Sequence, residues 1–411
     1  MPARSVVVIG GGAAGLMAAI FAGRAGAEVI LLERTRKGGK KIVVSGGGRC
    51  NVLPSVVDAS RFVTASSPRL MRRILDSWPL AEQRAFFEHD LGVPLKREPE
   101  TGKLFPVSDR ATDVRDALVG AARDAGADLR FDTLVTGLRP EAGHPEAKGW
   151  TVEVQDAPPL RPEAVIVATG GLSVPKTGSD GFGLREAEAL GLAVNETYPA
   201  LTPLTASEAP HAGLSGVSLD VTVRAPRRKV GIETTGGFLF THRGYSGPTV
   251  LDVSHLTTLA RLGGDAQPVL VQWTERDAEA WDAALRAPGP GTVLADLRRE
   301  VPARLADVLL AEADVPADRL RADLRRDERR RLVAVLSAYP LPWTDDEGYK
   351  KAEVTGGGVA LGEVDPQTLE ARRQPGLYLC GEVLDAFGPI GGYNFLWAWA
   401  TGRMAGLGAA D

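Results

Sequence analysis

Three glycines near the amino terminus, Gly10, Gly12 and Gly15, have the spacing of a turn that holds a dinucleotide pyrophosphate. In such a turn the first glycine permits the tight bend and the second lets the backbone approach the phosphates. The third allows the following helix to pack closely against the strand. Glu33 lies 18 residues after Gly15, where a carboxylate can hold a ribose hydroxyl. These residues predict a dinucleotide-binding site.

The elements that would position these glycines form a βαβ unit. Residues 5–9 (SVVVI) are a continuous β-branched run, as expected for a strand buried on both faces. Helical composition follows over residues 16–25, and a second apolar strand over residues 28–32. Because the helix begins at the glycine turn, its amino end would face the phosphates.

Farther along, the patterns predict an α/β fold built from both chain ends. We predict helices over 68–90 and 112–125, a hairpin over 93–107, and strands over 129–136, 150–154 and 164–168. Residues 198–274 have the short alternating segments of a β-rich unit, and residues 275–345 have helical composition. A strand over 376–380 and an apolar helix over 395–407 follow. Residues 1–197 and 346–411 would together form the Rossmann-like domain.

Composition limits the class of protein. The chain has 411 residues, of which 44% are hydrophobic and 24% charged, and its net charge is −4. This balance gives no global basic field for nucleic acid or anionic membrane. Two cysteines suit a reducing compartment. The sequence shows no signal peptide and no apolar run long enough to span a bilayer, so we expect a soluble cytoplasmic protein.

Two further segments favour FAD over NAD as the dinucleotide. A second glycine-rich loop, KGGKKIVVSGGGRCN (Lys37–Asn51), stands where a simple NAD dehydrogenase would continue into an ordinary helix. Near the carboxyl terminus, Glu382 follows a buried strand, where ligands of doubly wound sheets bind, and can meet a ribityl or phosphate hydroxyl. The amides of Gly392, Tyr393 and Asn394 open a helix and could stabilise negative charge on a reduced flavin.

With these segments in place, the sequence resembles one known family. IGGGAAGLMAA, SGGGRCN, FPVSDRATDV, VIVATGGLSVPKTGSDGFG, FLFTHRGYSGP, AEVTGGGV and GLYLCGEVLDAFGPIGGYNFLWAWATG are similar to the aminoacetone-oxidase-like bacterial flavoproteins, which include a reductase of unsaturated 3-oxo bile acids. The resemblance runs from Val6 to about Gly406 and implies an FAD-binding domain of the type found in two-dinucleotide-binding-domain flavoproteins, with β-barrel-like and helical insertions. DAFGPI (Asp385–Ile390) is a variable stretch that would shape the flavin pocket.

The resemblance also implies which residues contact FAD. Some would lie at the pyrophosphate and adenosine, others in the second loop, and others beside the ribityl chain and flavin. In chain order, the implied contacts are Gly10, Gly12, Ala14, Gly15, Glu33, Arg34, Lys41, Ser45, Gly48, Cys50, Asn51, Val135, Thr169, Gly170, Gly381, Glu382, Gly392, Tyr393 and Asn394.

Three side chains are candidates for supplying a proton. Tyr393 stands next to the expected flavin site, and His242 and Tyr245 stand in the FTHRGYSGP loop. His89, His144, His211 and His255 show no metal-ligand spacing, and we expect no metal. Cys50 and Cys380 lack the close pairing of flavin disulfide reductases, so two buried free thiols are expected.

The leading function is an FAD-dependent oxidoreductase acting on a small organic substrate. Two versions stay open: a reductase of a conjugated carbonyl fed by NAD(P)H, and an oxidase of a small amine or amino-ketone that uses oxygen. No second GxGxxG follows a strand, so a nicotinamide would visit only transiently. Alternatives of another class are a redox sensor and a tRNA-modifying flavoprotein. The acidic net charge and the lack of a basic stripe argue against a nucleic-acid partner. The oligomeric state is left open.

Overall fold

The computed structural model describes residues 3–141, 149–225, 231–263 and 268–411. The chain divides into two compact units. The first is Met1–Tyr198 with Val354–Asp411, and the second is Pro199–Glu353. The segments predicted to be β-rich (198–274) and helical (275–345) lie in the second unit, except for residue 198, which belongs to the first.

The first unit is an α/β layer structure. Its elements are β1 (Ser5–Ile9), α1 (Ala13–Arg24), β2 (Glu28–Leu32), α2 (Lys40–Val44), α3 (Pro68–Leu75), α4 (Leu80–Ala85), β3 (Leu95–Arg97), β4 (Leu104–Pro106), α5 (Ala111–Asp124), β5 (Asp128–Arg130), β6 (Val135–Pro140), β7 (Trp150–Val154), β8 (Ala164–Val167), α6 (Phe182–Ala189) and β9 (Val194–Ala200). Three elements are added by the carboxyl-terminal part: β17 (Val354–Val359), β18 (Leu377–Leu379) and α12 (Tyr393–Ala410).

The central sheet of this unit is parallel, with strand order β18-β8-β1-β2-β5. In register, Val6 pairs with Val29 of β2 and with Ala164 of β8. The apolar runs of β1 and β8 are buried, as expected for strands covered on both faces. Since β18 joins the same sheet, the prediction of a Rossmann-like domain made from both chain ends is confirmed.

Helices α1 and α12 pack against each other through small residues. A Cβ atom on Gly402 would lie 2.4 Å from the Ala14 carbonyl oxygen, and one on Gly406 would lie 2.4 Å from that of Ala18. Both positions therefore require glycine. Most side chains of α12 are buried all round the helix, which explains its continuous apolar composition. The last helix of the chain is thus held against the helix that follows the first glycine turn.

The second unit combines an antiparallel sheet with helices. Its elements are β10 (Leu204–Thr205), β11 (Ser218–Ala225), β12 (Ile232–Phe240), β13 (Gly244–Ser246), α7 (Pro248–Leu262), β14 (Leu270–Gln272), α8 (Ala278–Arg286), α9 (Val293–Glu300), α10 (Ala303–Glu312), α11 (Arg326–Ser337), β15 (Tyr339–Pro340) and β16 (Asp345–Asp346). The seven strands are ordered β15-β14-β11-β12-β13-β10-β16. Phe238, Phe240 and Trp273 form an aromatic centre of its core.

One predicted helix is interrupted. The helical pattern over residues 68–90 contains two α-helices, α3 and α4, and a π-helical turn at Phe86–Asp90. The interruption lies at Asp76–Pro79. Proline has no N–H to donate and disfavours helical geometry in the residue before it, so α3 ends before Trp78 and α4 begins after Pro79.

A buried ion pair in the second unit gives a pH-dependent contribution to stability. Glu328 is fully buried in α11, and its carboxylate accepts hydrogen bonds from Arg319 and Arg325, each at 2.8 Å. The hydrogen bond from the Arg325 side chain is the largest cause that lowers the pKa of Glu328; burial opposes it, the Arg325 backbone N–H and Arg319 add to it, and the pKa falls from 4.5 to about 2. This contribution is therefore complete above pH 4.5 and is lost as the pH falls towards 2.

We expect Glu328→Gln to destabilise the second unit by about 1.5–3 kcal/mol at neutral pH, because two charge-assisted hydrogen bonds lose the carboxylate. Urea unfolding followed by tryptophan fluorescence measures this loss. The difference from wild type should shrink as the pH falls from 4.5 to 2. Glu279→Gln, at an exposed position of α8, is the matched control. A constant difference across that pH range would contradict this account.

Candidate functional site

The first glycine turn connects β1 to α1. Gly10 has φ of +106°, and a Cβ there would lie 2.6 Å from the Ala168 carbonyl oxygen. A Cβ on Gly15 would lie 1.8 Å from the Gly10 carbonyl oxygen, so helix and strand touch at this point. Gly12 caps the amino end of α1 without a side-chain hydrogen bond, and nothing lies within 4 Å of its Cβ position. The uncapped helix end therefore faces open space, as a phosphate site requires.

Glu33 lies at the carboxyl end of β2 and is buried. Its carboxylate accepts hydrogen bonds from the backbone N–H of Gly11 at 2.7 Å and of Thr35 at 2.8 Å. These bonds fix the carboxylate beside the glycine turn. Each carboxylate oxygen keeps a second lone pair with which a ribose hydroxyl could be held. The next residue, Arg34, forms an ion pair with Asp180.

The second glycine-rich loop has an unusual backbone. Gly46, Gly47, Gly48 and Cys50 all have positive φ, from +55° to +87°. Gly47 and Gly48 are exposed, and their Cβ positions face open space. Successive residues of this kind leave backbone groups accessible to a ligand, which fits a loop that lines a cofactor.

A charged network lies beneath this loop. Lys41 Nζ donates to Glu382 Oε2 and to Ser173 Oγ, each at 2.6 Å. Glu382 Oε1 accepts from Ser173 Oγ at 2.5 Å and from the Thr355 backbone N–H at 3.1 Å. The Lys41 and Glu382 side chains are 25% and 17% exposed. The network joins α2 to the ends of β8 and β18, and both charges remain accessible to a ligand.

The GGYN segment at the start of α12 is attached to the second loop. With the side-chain amide of Asn51 assigned so that its oxygen faces the Gly392 N–H, Asn51 accepts from that N–H at 3.0 Å and donates to the Leu53 carbonyl at 3.1 Å. The Tyr393 hydroxyl donates to the Val56 carbonyl at 3.0 Å. Asn394 bonds both backbone groups of Gly388. Helix α12 begins at Gly392 with no side-chain cap and no acidic residue in its first turn, so its positive amino end lies at this segment.

Asp385 was missed as an individual residue by the sequence analysis. Its side chain is buried, and its Oδ2 accepts from the Ser66 N–H at 2.8 Å, Ser66 Oγ at 2.7 Å and Asn195 Nδ2 at 2.7 Å. Thr64 Oγ1 adds a bond of 3.0 Å to the same oxygen. The carboxylate therefore anchors the loop that leads into GGYN. The partners lie far away in the sequence, so no local motif could have signalled this arrangement.

The structure places all predicted cofactor contacts in the first unit. Several are adjacent in space. Gly381 is one example, because a Cβ there would lie 2.8 Å from that of Ala14. Thr169 and Gly170 follow β8, and Val135 is buried at the start of β6. Ser45 donates its hydroxyl to the Ile42 carbonyl at 2.8 Å, which shapes the start of the glycine-rich loop.

The other two catalytic candidates belong to the second unit. His242 is exposed between β12 and β13. Tyr245 is fully buried, and its hydroxyl lies 2.9 Å from His211 Nδ1. Burial, followed by the nearby Glu312 charge, raises the pKa of Tyr245. The contacts of the Tyr245 phenol are therefore those of a structural residue in the core of the second unit, not those of a catalytic acid.

In the part of the chain that the structure describes, which leaves out His144, no group of three or more His, Cys, Asp or Glu residues is placed to hold a metal ion. None of the helices described has the length and hydropathy needed to cross a bilayer.

Comparison with known proteins identifies the family. A model of the HI0933-like protein Rossmann domain matches residues 4–408. The chain belongs to this family. It is 34% identical over 412 residues to the 3-dehydro-bile acid delta(4,6)-reductase of Clostridium scindens, with 98% of each chain covered. It is 33% identical over 407 residues to the ribosomal RNA dihydrouridine synthase of Escherichia coli, with 96% of this chain and 95% of the relative covered.

A solved structure shows the same fold. The 3-ketosteroid delta1-dehydrogenase of Sterolibacterium denitrificans aligns with 99% of this chain and 100% of its own, with a TM-score of 0.53 and 14% identity. The family and its reductase member confirm the prediction of an FAD-dependent oxidoreductase.

The residues present fit FAD. The amino end of α1 has no side-chain cap, and the Cβ positions of Gly12, Gly47 and Gly48 face open space. A Cβ at any of these three glycines would take up part of the space that a bound cofactor needs. When bound, FAD supplies the redox chemistry. The chain would hold the pyrophosphate at the first glycine turn, and Glu33 would hold the adenosine ribose. Lys41 and Glu382 would offer paired charges farther along the same edge of the sheet.

We expect Lys41→Met to weaken FAD binding about ten- to hundredfold, because Glu382 would keep its place without its cation. Equilibrium titration of the apoprotein with FAD measures the change. Lys40→Met is the matched control, since Lys40 is the exposed neighbour in the same helix. Equal affinities of the two variants would contradict a cofactor role for the Lys41–Glu382 pair.

The two cysteines are expected to be unreactive in the native protein. Both are buried, and burial raises the pKa of Cys50 to about 12 and that of Cys380 further. Since the thiolate is the reactive form, a thiol reagent at pH near 8 should label neither residue until denaturant is added. Rapid labelling of Cys50 in the folded protein would contradict the expectation that both cysteines are buried, unreactive thiols.

Proposed function

We propose that this protein is an FAD-dependent reductase that saturates a carbon–carbon double bond conjugated to a carbonyl group, with NAD(P)H as electron donor. The observation that carries the proposal is that two relatives with different substrates are almost equally similar to this chain, and both match it over nearly its full length. A 3-dehydro-bile acid with delta(4,6) unsaturation has such a conjugated system. Uridine has another, and dihydrouridine is its saturated form. One reaction type therefore accounts for both names.

This reaction needs a hydride on one carbon and a proton on the next, while negative charge develops on the carbonyl oxygen. The amino end of α12 and the Lys41 ammonium group are two of the positive groups that the first unit presents beside GGYN and the second loop; the Arg61 guanidinium, 5.4 Å from the Tyr393 ring centroid, is another. Such groups can stabilise developing negative charge. Tyr393 is less suited to donate a proton, because its hydroxyl already donates to Val56. These contacts favour electrostatic stabilisation by the chain over a tyrosine acid.

Anaerobic stopped-flow measurements test the proposal. We expect NADPH or NADH to bleach the visible flavin band, and a steroid with a 3-oxo-4-ene group or a uridine-containing RNA to restore it. The two acceptors are separate arms that indicate the substrate class. Bleaching by a small amine or amino-ketone, with oxygen as the only effective acceptor, would favour the oxidase version. No bleaching by either nicotinamide would contradict the reductase.

A further inference from the structure

The segment Arg34–Arg73 differs sharply in charge from the rest of the chain. It contains ten basic residues and one acidic residue, Asp58, whereas the remainder contains 38 basic and 51 acidic residues. The net charge of −4 is the sum of these two parts. The expectation of no nucleic-acid partner was based on that sum and on the lack of a basic stripe, and the second of these grounds does not hold for this segment. We call this segment the basic segment.

Three of the ten cations are neutralised by ion pairs. Arg34 pairs with Asp180, Lys41 with Glu382 and Arg49 with Glu98. Six others are exposed and have no ion pair among the described residues: Arg36, Lys37, Lys40, Arg69, Arg72 and Arg73. These six side chains are therefore available to an external anion.

Helix α3 concentrates half of these available charges on one face. Arg69, Arg72 and Arg73 are spaced i, i+3, i+4, which places neighbouring Cβ atoms about 5–6 Å apart. Met71, Ile74 and Leu75 form the buried face of the same helix. Like charges at this spacing repel each other, so an anion bound to all three would relieve an unfavourable interaction. We call Arg69, Arg72 and Arg73 the arginine face.

We propose that the basic segment, through the arginine face, binds the phosphate backbone of an RNA. A run of separate exposed cations suits a polyanion, because each cation that neutralises a phosphate releases counterions and adds to affinity. A single small anion would need only one or two of them. The choice of RNA rests on the proposed function, since a uracil ring in RNA has the required conjugated double bond. The surface lies in the unit that contains the candidate site.

The test measures binding of protein-free bacterial ribosomal RNA to the FAD-loaded, oxidised protein, without electron donor, over a range of salt concentrations. The variant is the triple substitution Arg69→Gln, Arg72→Gln and Arg73→Gln. The matched control removes three exposed arginines without ion pairs elsewhere in the described chain, by Arg123→Gln, Arg326→Gln and Arg330→Gln. FAD content and thermal midpoint report whether each variant is folded. If the first triple variant loses FAD, the three single variants replace it.

We expect the arginine-face variant to bind RNA at least tenfold more weakly. The slope of log affinity against log salt should fall by about two to three, which corresponds to three lost phosphate contacts. The control should bind as wild type does. Unchanged RNA binding in the arginine-face variant would overturn the proposal, as would an equal loss of RNA binding in the control variant. The RNA-binding measurement needs no turnover. Its result would therefore stand even if the protein were found not to reduce a double bond.

Discussion

Gly15→Ala is expected to destabilise the first unit by at least about 3 kcal/mol and to give protein without FAD. A Cβ at this position would lie 1.8 Å from the Gly10 carbonyl oxygen and 3.2 Å from the Ala168 side chain. Neither neighbour can move without separating α1 from β1 and β8, which form the centre of the sheet. Thermal unfolding and the flavin absorbance of the purified protein measure the two effects.

Gly12→Ala separates cofactor binding from folding in the same turn. Gly12 has φ of −83°, and nothing in the chain lies within 4 Å of its Cβ position. An alanine should therefore leave stability nearly unchanged, while its methyl group fills the space that the pyrophosphate would need. We expect FAD affinity to fall at least tenfold in a titration of the apoprotein.

Gly120→Ala is the control for both variants. Gly120 lies inside α5 with no atom near its Cβ position, so alanine should stabilise that helix by up to about 1 kcal/mol and leave FAD binding unchanged. Wild-type FAD affinity in Gly12→Ala would show that the open space at α1 is not where the pyrophosphate lies.

The sequence predicted those parts of the fold that depend on local patterns. The βαβ unit was recognisable because Ser5–Ile9 is β-branched and three glycines follow it at fixed spacing. The hairpin of β3 and β4 was recognisable from Glu100–Gly102 at its turn. Helix α12 was recognisable from its apolar composition. In each case the residues that determine the element lie within it or beside it.

Local sequence patterns could not predict contacts between residues that lie far apart in the chain. Lys41 and Glu382 are 341 positions apart. The sequence indicated that each lies near the cofactor, but nothing in either segment indicated that the two side chains pair. Their pairing follows from the sheet, which brings the ends of β8 and β18 together near the start of α2. The basic segment was missed for a different reason: its charges are visible in the sequence, but they are spread over forty residues among glycines and apolar residues, and the net charge of the whole chain conceals them.

Asp385→Asn is expected to lower the stability of the first unit by about 2–4 kcal/mol and to accelerate FAD release. The carboxylate oxygen that accepts from Ser66, Asn195 and Thr64 faces only donors. An asparagine can direct its oxygen towards them only by directing its NH₂ group towards the Ala65 N–H, which lies 3.4 Å from the other oxygen. Either orientation therefore leaves a donor facing a donor in a buried position.

The effect should reach the cofactor because the same loop continues to Gly388, to which Asn394 is bonded, and then to the amino end of α12. Unfolding in urea and the rate of FAD release measured by fluorescence should change together. Asp314→Asn is the matched control, because the Asp314 side chain is 93% exposed. A large loss of stability with unchanged FAD release would show that Asp385 holds the fold without positioning GGYN. Wild-type behaviour in both measurements would show that its buried hydrogen bonds contribute little.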